Sequence, residues 1–121
     1  MALDGIFLRF LINELKNDAV GCRVDKIYQP AKDEVVLLLR KKGFSAKMLM
    51  SSNTVSARIG FTNANFENPA VPPMLCMLLR KKLVGARLAA IRQPGLERVC
   101  FIDFETTDDF GDDCVLTVIL E

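Results

Sequence analysis

Residues 20–35, VGCRVDKIYQPAKDEV, are nearly restated 64 positions later as residues 84–99, VGARLAAIRQPGLERV. Val20, Gly21, Arg23, Ile27, Gln29, Pro30 and Val35 recur as Val84, Gly85, Arg87, Ile91, Gln93, Pro94 and Val99. A chain that repeats itself in this way is restricted to folds that can use one unit in two places. Apolar residues at helical spacing precede each copy: Leu3, Phe7, Phe10, Leu11 and Leu15 before the first, and Met74, Leu75, Leu78, Leu79 and Leu83 before the second. Each unit therefore reads helix, glycine, strand, Gln-Pro turn, strand. The glycine can supply a left-handed cap and the proline can fix a turn. The expected fold class is α+β, with two similar helix-plus-strands halves packed face to face as a sandwich, each hiding the apolar face of the other. A plainer reading stands beside it, in which the shared residues are cap and turn chemistry that recurs wherever such turns do.

The pattern predicts helices over residues 3–15 and 73–84. Strands are expected over residues 23–28, 34–40, 44–52, 54–61, 87–92, 98–104 and 114–121, with Pro30 forcing a turn after the first. NANFENPAVPP is a loop whose last prolines can open the second helix, and TTDDFGDD is an acidic loop. The chain stops on a strand of consecutive apolar residues with no polar tail, so residues 1–121 read as one domain cut from a longer protein.

With 121 residues, half of them hydrophobic, the chain can bury one core. Every apolar run breaks well before the ~18 residues of a membrane span. The opening MALDGIFLRF places Asp4 and Arg9 among its apolar residues and has no signal-peptide character, so a cytoplasmic protein is expected. The four cysteines form no CxxC and the chain contains no histidine, which points to buried thiols and to no metal or other cofactor. Without histidine, Ser-His and Cys-His nucleophiles are excluded. A net charge of +1 announces no overall nucleic-acid footprint, though a local patch remains open.

Where the two copies differ, function has room. Asp33-Glu34 becomes Glu97-Arg98, and an arginine beside a carboxylate can offer a fixed fork to phosphate or a base edge. The plain alternative is a solvated pair at a hairpin. Asp4 can cap the first helix. Arg80, Lys81 and Lys82, with Arg40, Lys41 and Lys42, can contact phosphates or simply face water at an element's end. Tyr28, near Lys26, can stack on a base or pack at the core rim.

In chain order, MALDG, GCRVDKIYQPAKDEVVLLLR, NPAVPPMLCMLLRKKLVGARL, IRQPGLERV and FGDD together resemble the N-terminal domain of the NFACT family, across essentially the whole chain. That family includes bacterial fibronectin-binding protein A and the NEMF-type ribosome quality-control factors. The resemblance implies a fold like the N-terminal domain of formamidopyrimidine-DNA glycosylases. It does not imply their chemistry, because Ala2 and Leu3 stand where those enzymes carry a proline amine and a glutamate. It implies a non-enzymatic factor that binds the large ribosomal subunit with its stalled peptidyl-tRNA. Such a factor recruits charged tRNA, alanine-charged in bacteria, for mRNA-independent tailing of the nascent chain. The family's tRNA-engaging Asp and Asp-Arg pair fall on Asp4, Glu97 and Arg98. Glu97 is one methylene longer than the family's aspartate, and Lys82 stands where histidine is common. The other implied partner is fibronectin, for a surface adhesin. An exported adhesin and a DNA-repair enzyme are the competing classes, opposed respectively by the absent signal peptide and the absent amine nucleophile.

Overall fold

Two glycines with left-handed backbone organise the chain, Gly21 at φ 95° and Gly85 at φ 88°. In the computed structural model, which describes residues 5–52, 58–95 and 99–120, each ends a helix and starts a strand. Helix α1 (Gly5–Ala19) leads into β1 (Arg23–Ala31), β2 (Glu34–Lys41), β3 (Phe44–Ser51) and β4 (Arg58–Thr62). Helix α2 (Met74–Leu83) leads into β5 (Arg87–Arg92), β6 (Cys100–Thr107) and β7 (Asp113–Leu120). The strands form one antiparallel sheet in the order β4-β3-β2-β1-β5-β6-β7. The α+β class is as expected.

The halves do not meet face to face. They join edge to edge at β1 and β5, where Arg23 pairs with Arg87. The Gly21 N–H donates to the Leu88 carbonyl and the Gly85 N–H to the Val24 carbonyl, each at 2.8 Å. Val24 N–H donates to Ala86 at 2.9 Å and Leu88 N–H to Cys22 at 2.8 Å. Each bond maps onto another under the 64-residue offset. This pairing satisfies two strand edges that a face-to-face sandwich would leave open.

The equivalence extends to burial and to strand register around the seam. Ala19, Cys22, Val24 and Ile27 are buried, and so are Leu83, Ala86, Leu88 and Ile91. The β1–β2 ladder slips between Val24 and Lys26, and the β5–β6 ladder slips at the matching place, between Leu88 and Ala90. Cap and turn chemistry alone explains the glycines but not a shared bulge and a shared burial pattern. The two copies are therefore structural equivalents about a pseudo-twofold axis at the seam. Helix α2 packs on β1 and α1 on β5 and β4, so each helix covers a strand of the other half.

Several sequence expectations change. Pro30 lies within β1, where the register is irregular between Tyr28 and Ala31, and the chain turns at Lys32–Asp33 instead. A proline without an N–H is tolerated at such an interruption. In α1, Ile12 and Leu15 are buried with Leu11 against them, whereas Phe10 is exposed. In α2 the buried stripe is Cys76 and Leu83, with Leu79 packed against it. Met74, at 87% exposure, and Leu75, Met77 and Leu78 face outward. MLCMLL is apolar on nearly every side, so spacing cannot decide which stripe the sheet takes. Cys22, Cys76 and Cys100 are buried thiols and Cys114 is half-buried; burial pushes the Cys100 thiol up to about 11. Among the described residues no helix is long and apolar enough to cross a membrane.

Candidate nucleic-acid interface

Asp4, Glu97 and Arg98 lie outside the described residues. The residues that flank them are held together by one side chain. Arg9, on the second turn of α1, donates from Nε to Gln93 Oε1 at 2.9 Å and from Nη2 to the Gln93 carbonyl at 3.4 Å. The same Nη2 bonds the Gly95 carbonyl. The second turn of α1, five residues after Asp4, is thereby clasped to Gln93 and Gly95, which precede Glu97 and Arg98 in the sequence. An arginine is suited to this because its planar fork spans several acceptors at once.

Duplication has put the same residue type to two uses here. Gln29, in the first half, is buried and donates from Nε2 to the Lys32 carbonyl at 3.1 Å, closing its own hairpin. Gln93, its counterpart, is turned toward α1. The first-half counterparts of Glu97 and Arg98 are Asp33 and Glu34. There the Asp33 carbonyl accepts from Ser52 N–H at 2.9 Å, and Glu34 pairs with Ser51. The Arg9 clasp escaped the sequence reading because a helical arginine carries no local sign of a partner 84 positions away.

The basic helix end divides. Arg80 donates from Nε to the Ile27 carbonyl at 2.8 Å and lies 5.6 Å from the Tyr28 ring centroid, so it locks α2 to β1. This also covers one face of Tyr28. Lys81 and Lys82 are exposed and free of this duty. All three sit in the last turn of α2, where cations complement the helix dipole. The acidic loop is a self-capped hairpin turn: Asp108 Oδ1 accepts from Phe110 N–H at 2.9 Å and Asp112 N–H at 3.0 Å.

On the sheet face away from the helices, Arg92 grips Asp103 with a fork, Nε to Oδ2 at 2.6 Å and Nη2 to Oδ1 at 2.9 Å. Thr117 Oγ1 donates to the same carboxylate at 2.7 Å. The Arg92 hydrogen bond is the main cause that holds the Asp103 carboxyl below its ordinary value, with Thr117 helping and desolvation opposing. Folding therefore favours the ionised form. The resulting stability is present above the ordinary carboxylate pKa of about 3.9 and is lost as pH falls through the depressed value. Asp103→Asn is expected to melt at lower temperature than wild type at pH 7, with the gap closing at acid pH as the Asp103 carboxylate becomes protonated. Equal gaps at both pH values, read by thermal melts, would show that the carboxylate's charge is irrelevant.

Residues 4–121 match the family model described as NFACT N-terminal and middle domains. The chain is 36% identical over 121 residues to the Rqc2 homolog RqcH of Bacillus subtilis, covering all of this chain and 21% of that protein. It is 31% identical over 108 residues to human ribosome quality control complex subunit NEMF, covering 89% of this chain and 9% of that one. The N-terminal domain of fibronectin-binding protein PavA from Streptococcus pneumoniae superposes with a TM-score of 0.91 at 38% identity, over 98% of this chain and 44% of that one. The chain thus spans about a fifth of the length of the bacterial relative. The matched extent, the identity along the whole chain and the shared fold lead to one statement: the chain belongs to the NFACT family, which includes proteins named as ribosome quality-control factors.

Proposed function

We propose that this domain is the tRNA- and ribosome-binding module of a cytoplasmic ribosome quality-control factor, one that supports mRNA-independent alanine tailing of stalled chains on the large subunit. Its contribution is binding, not catalysis. The observation that carries the reading is the Arg9 clasp, which ties α1, the helix after Asp4, to Gln93 and Gly95, just before Glu97 and Arg98 in the sequence. In this reading Arg98 bonds tRNA phosphate or a base edge, while Asp4 and Glu97 orient it. Lys81 and Lys82 lend positive charge at the end of α2. The likeness to a glycosylase N-terminal domain belongs to the same reading, as a shared scaffold without the shared nucleophile.

Loss of one charge-assisted contact costs on the order of 1–3 kcal/mol. Arg98→Ala in the full-length protein is therefore expected to cut alanine tailing roughly 5- to 150-fold. Undiminished tailing by a well-folded variant would remove the assignment. The second reading, a fibronectin-binding surface protein, has the name of the pneumococcal relative in its favour. It requires the protein to be cleaved when intact cells are treated with protease, whereas a cytoplasmic factor stays protected.

A further inference from the structure

Three arginines stand in one line across the middle of the sheet. Arg87 on β5 pairs with Arg23 on β1, and Arg23 pairs with Arg40 on β2. Directly opposed residues in antiparallel strands point to the same side of a sheet, and like charges so placed repel. Here the shared side is the one away from the buried core, where Arg23 and Arg40 are exposed and Arg87 is half-buried. A fold tolerates such a row when something neutralises it.

The protein neutralises only part of it. Arg87 bonds Glu105 at 2.6 Å. Arg40 reaches Asp25 at 3.4 Å, with both side chains well exposed. Arg23, the middle member, donates from Nη1 to the Gly85 carbonyl at 3.0 Å and has no carboxylate in ion-pair reach among the described residues. Among the described residues, the hollow beside it gathers Arg23, Arg40, Lys41 and Lys42 against one acid, Asp25. That hollow continues on one side, through Arg40 and Asp25, toward Lys47, and on the other, through Arg23 and Gly85, to Glu105 and Asp113. The result is a trough across the strands, basic over the first half and acidic at the β6–β7 end. The pseudo-twofold makes the asymmetry plain: Arg40 and Glu105 are the sheet partners of the equivalent residues Arg23 and Arg87.

We propose that the trough over β1 and β2 is a second RNA contact, in which Arg23 and Arg40 hold backbone phosphates and the exposed Lys42 adds charge at the rim, Lys41 being engaged with the Val20 carbonyl. It rests on the RNA-binding reading above and assigns residues separate from Asp4, Glu97 and Arg98. Among the described residues, the hollow beside Arg23 has no aromatic lining on which a base could stack. The contact is therefore to phosphate, and it positions RNA without reading sequence.

The test titrates fluorescein-labelled bulk tRNA into the full chain and reads anisotropy at several salt concentrations. The Arg23→Ala/Arg40→Ala double variant is expected to bind about tenfold or more weakly near 0.1 M salt, with the slope of log K against log salt reduced by about two. Arg23→Lys/Arg40→Lys is expected to keep most of the slope, because it keeps the charge. The melting temperature of Arg40→Ala should hold or rise, since a like-charge neighbour has been removed; a clear fall would make the row a structural element and overturn the proposal. Wild-type affinity and slope in the double alanine variant would overturn this site alone and leave the RNA reading standing. No binding of tRNA by wild type would overturn both. Vesicles containing phosphatidylserine form the second arm: wild type that binds them but not tRNA, with binding lost in the double variant, would assign the trough to lipid headgroups instead.

Discussion

Phe104→Ala is expected to lower the unfolding free energy by about 3–5 kcal/mol, the range for emptying a large buried aromatic site. Phe104 is 0% exposed and is the largest fully buried side chain among the described residues. It sits on β6 between Leu88 of β5 and Leu116 of β7, its direct partners across the sheet. Strand backbones held by ladders on both sides cannot easily close over the vacated volume, so most of the cavity should remain. Urea melts of wild type and variant give the comparison directly, with an unchanged m-value marking a pure stability effect. A loss under about 1 kcal/mol would place the residue at a collapsible edge and not in the core.

Gly21→Ala and Gly85→Ala form the second large prediction. Both glycines hold φ values that side-chain-bearing residues rarely adopt, and a β-carbon at either would meet no atom within 4 Å. Any loss is therefore conformational and not a clash. Each substitution should cost about 1–3 kcal/mol. Because the pseudo-twofold exchanges the two sites, the two costs should agree to within about 1 kcal/mol. Their N–H groups donate into one small hydrogen-bond cluster with Val24 and Leu88, so the double variant should depart from the sum of the singles. Very unequal single losses would mean that the seam is symmetric in outline only.

Much of this architecture could be read in advance because it is written locally. The glycines, the helix ends near Leu83 and the hairpin at Lys42–Gly43 each depend on a few neighbouring residues. The strand Glu34–Lys41 announces itself by branched and leucine side chains. Apart from the turn expected at Pro30, which lies two residues later, the failures involve partners distant along the chain. Whether α2 buries Met74 or Cys76 depends on where β1 lies, and the Ile27 carbonyl that receives Arg80 is 53 positions away. The edge-to-edge join needs Arg23 beside Arg87, which no periodicity announces. The candidate site shows the same division: Glu97-Arg98 stood out as a local departure from the first copy, whereas the Arg9 clasp and the arginine row exist only once the sheet has formed.

The exchange of helices across the seam carries a further implication for unfolding. Helix α1 lies on β5 as well as on β4 of its own half, and α2 lies on β1, so neither unit carries a complete roof of its own. Peeling one away would strip apolar cover from the strands left behind and expose them to water. Although the molecule is built from two like pieces, it should come apart in a single cooperative step, with no half-folded survivor.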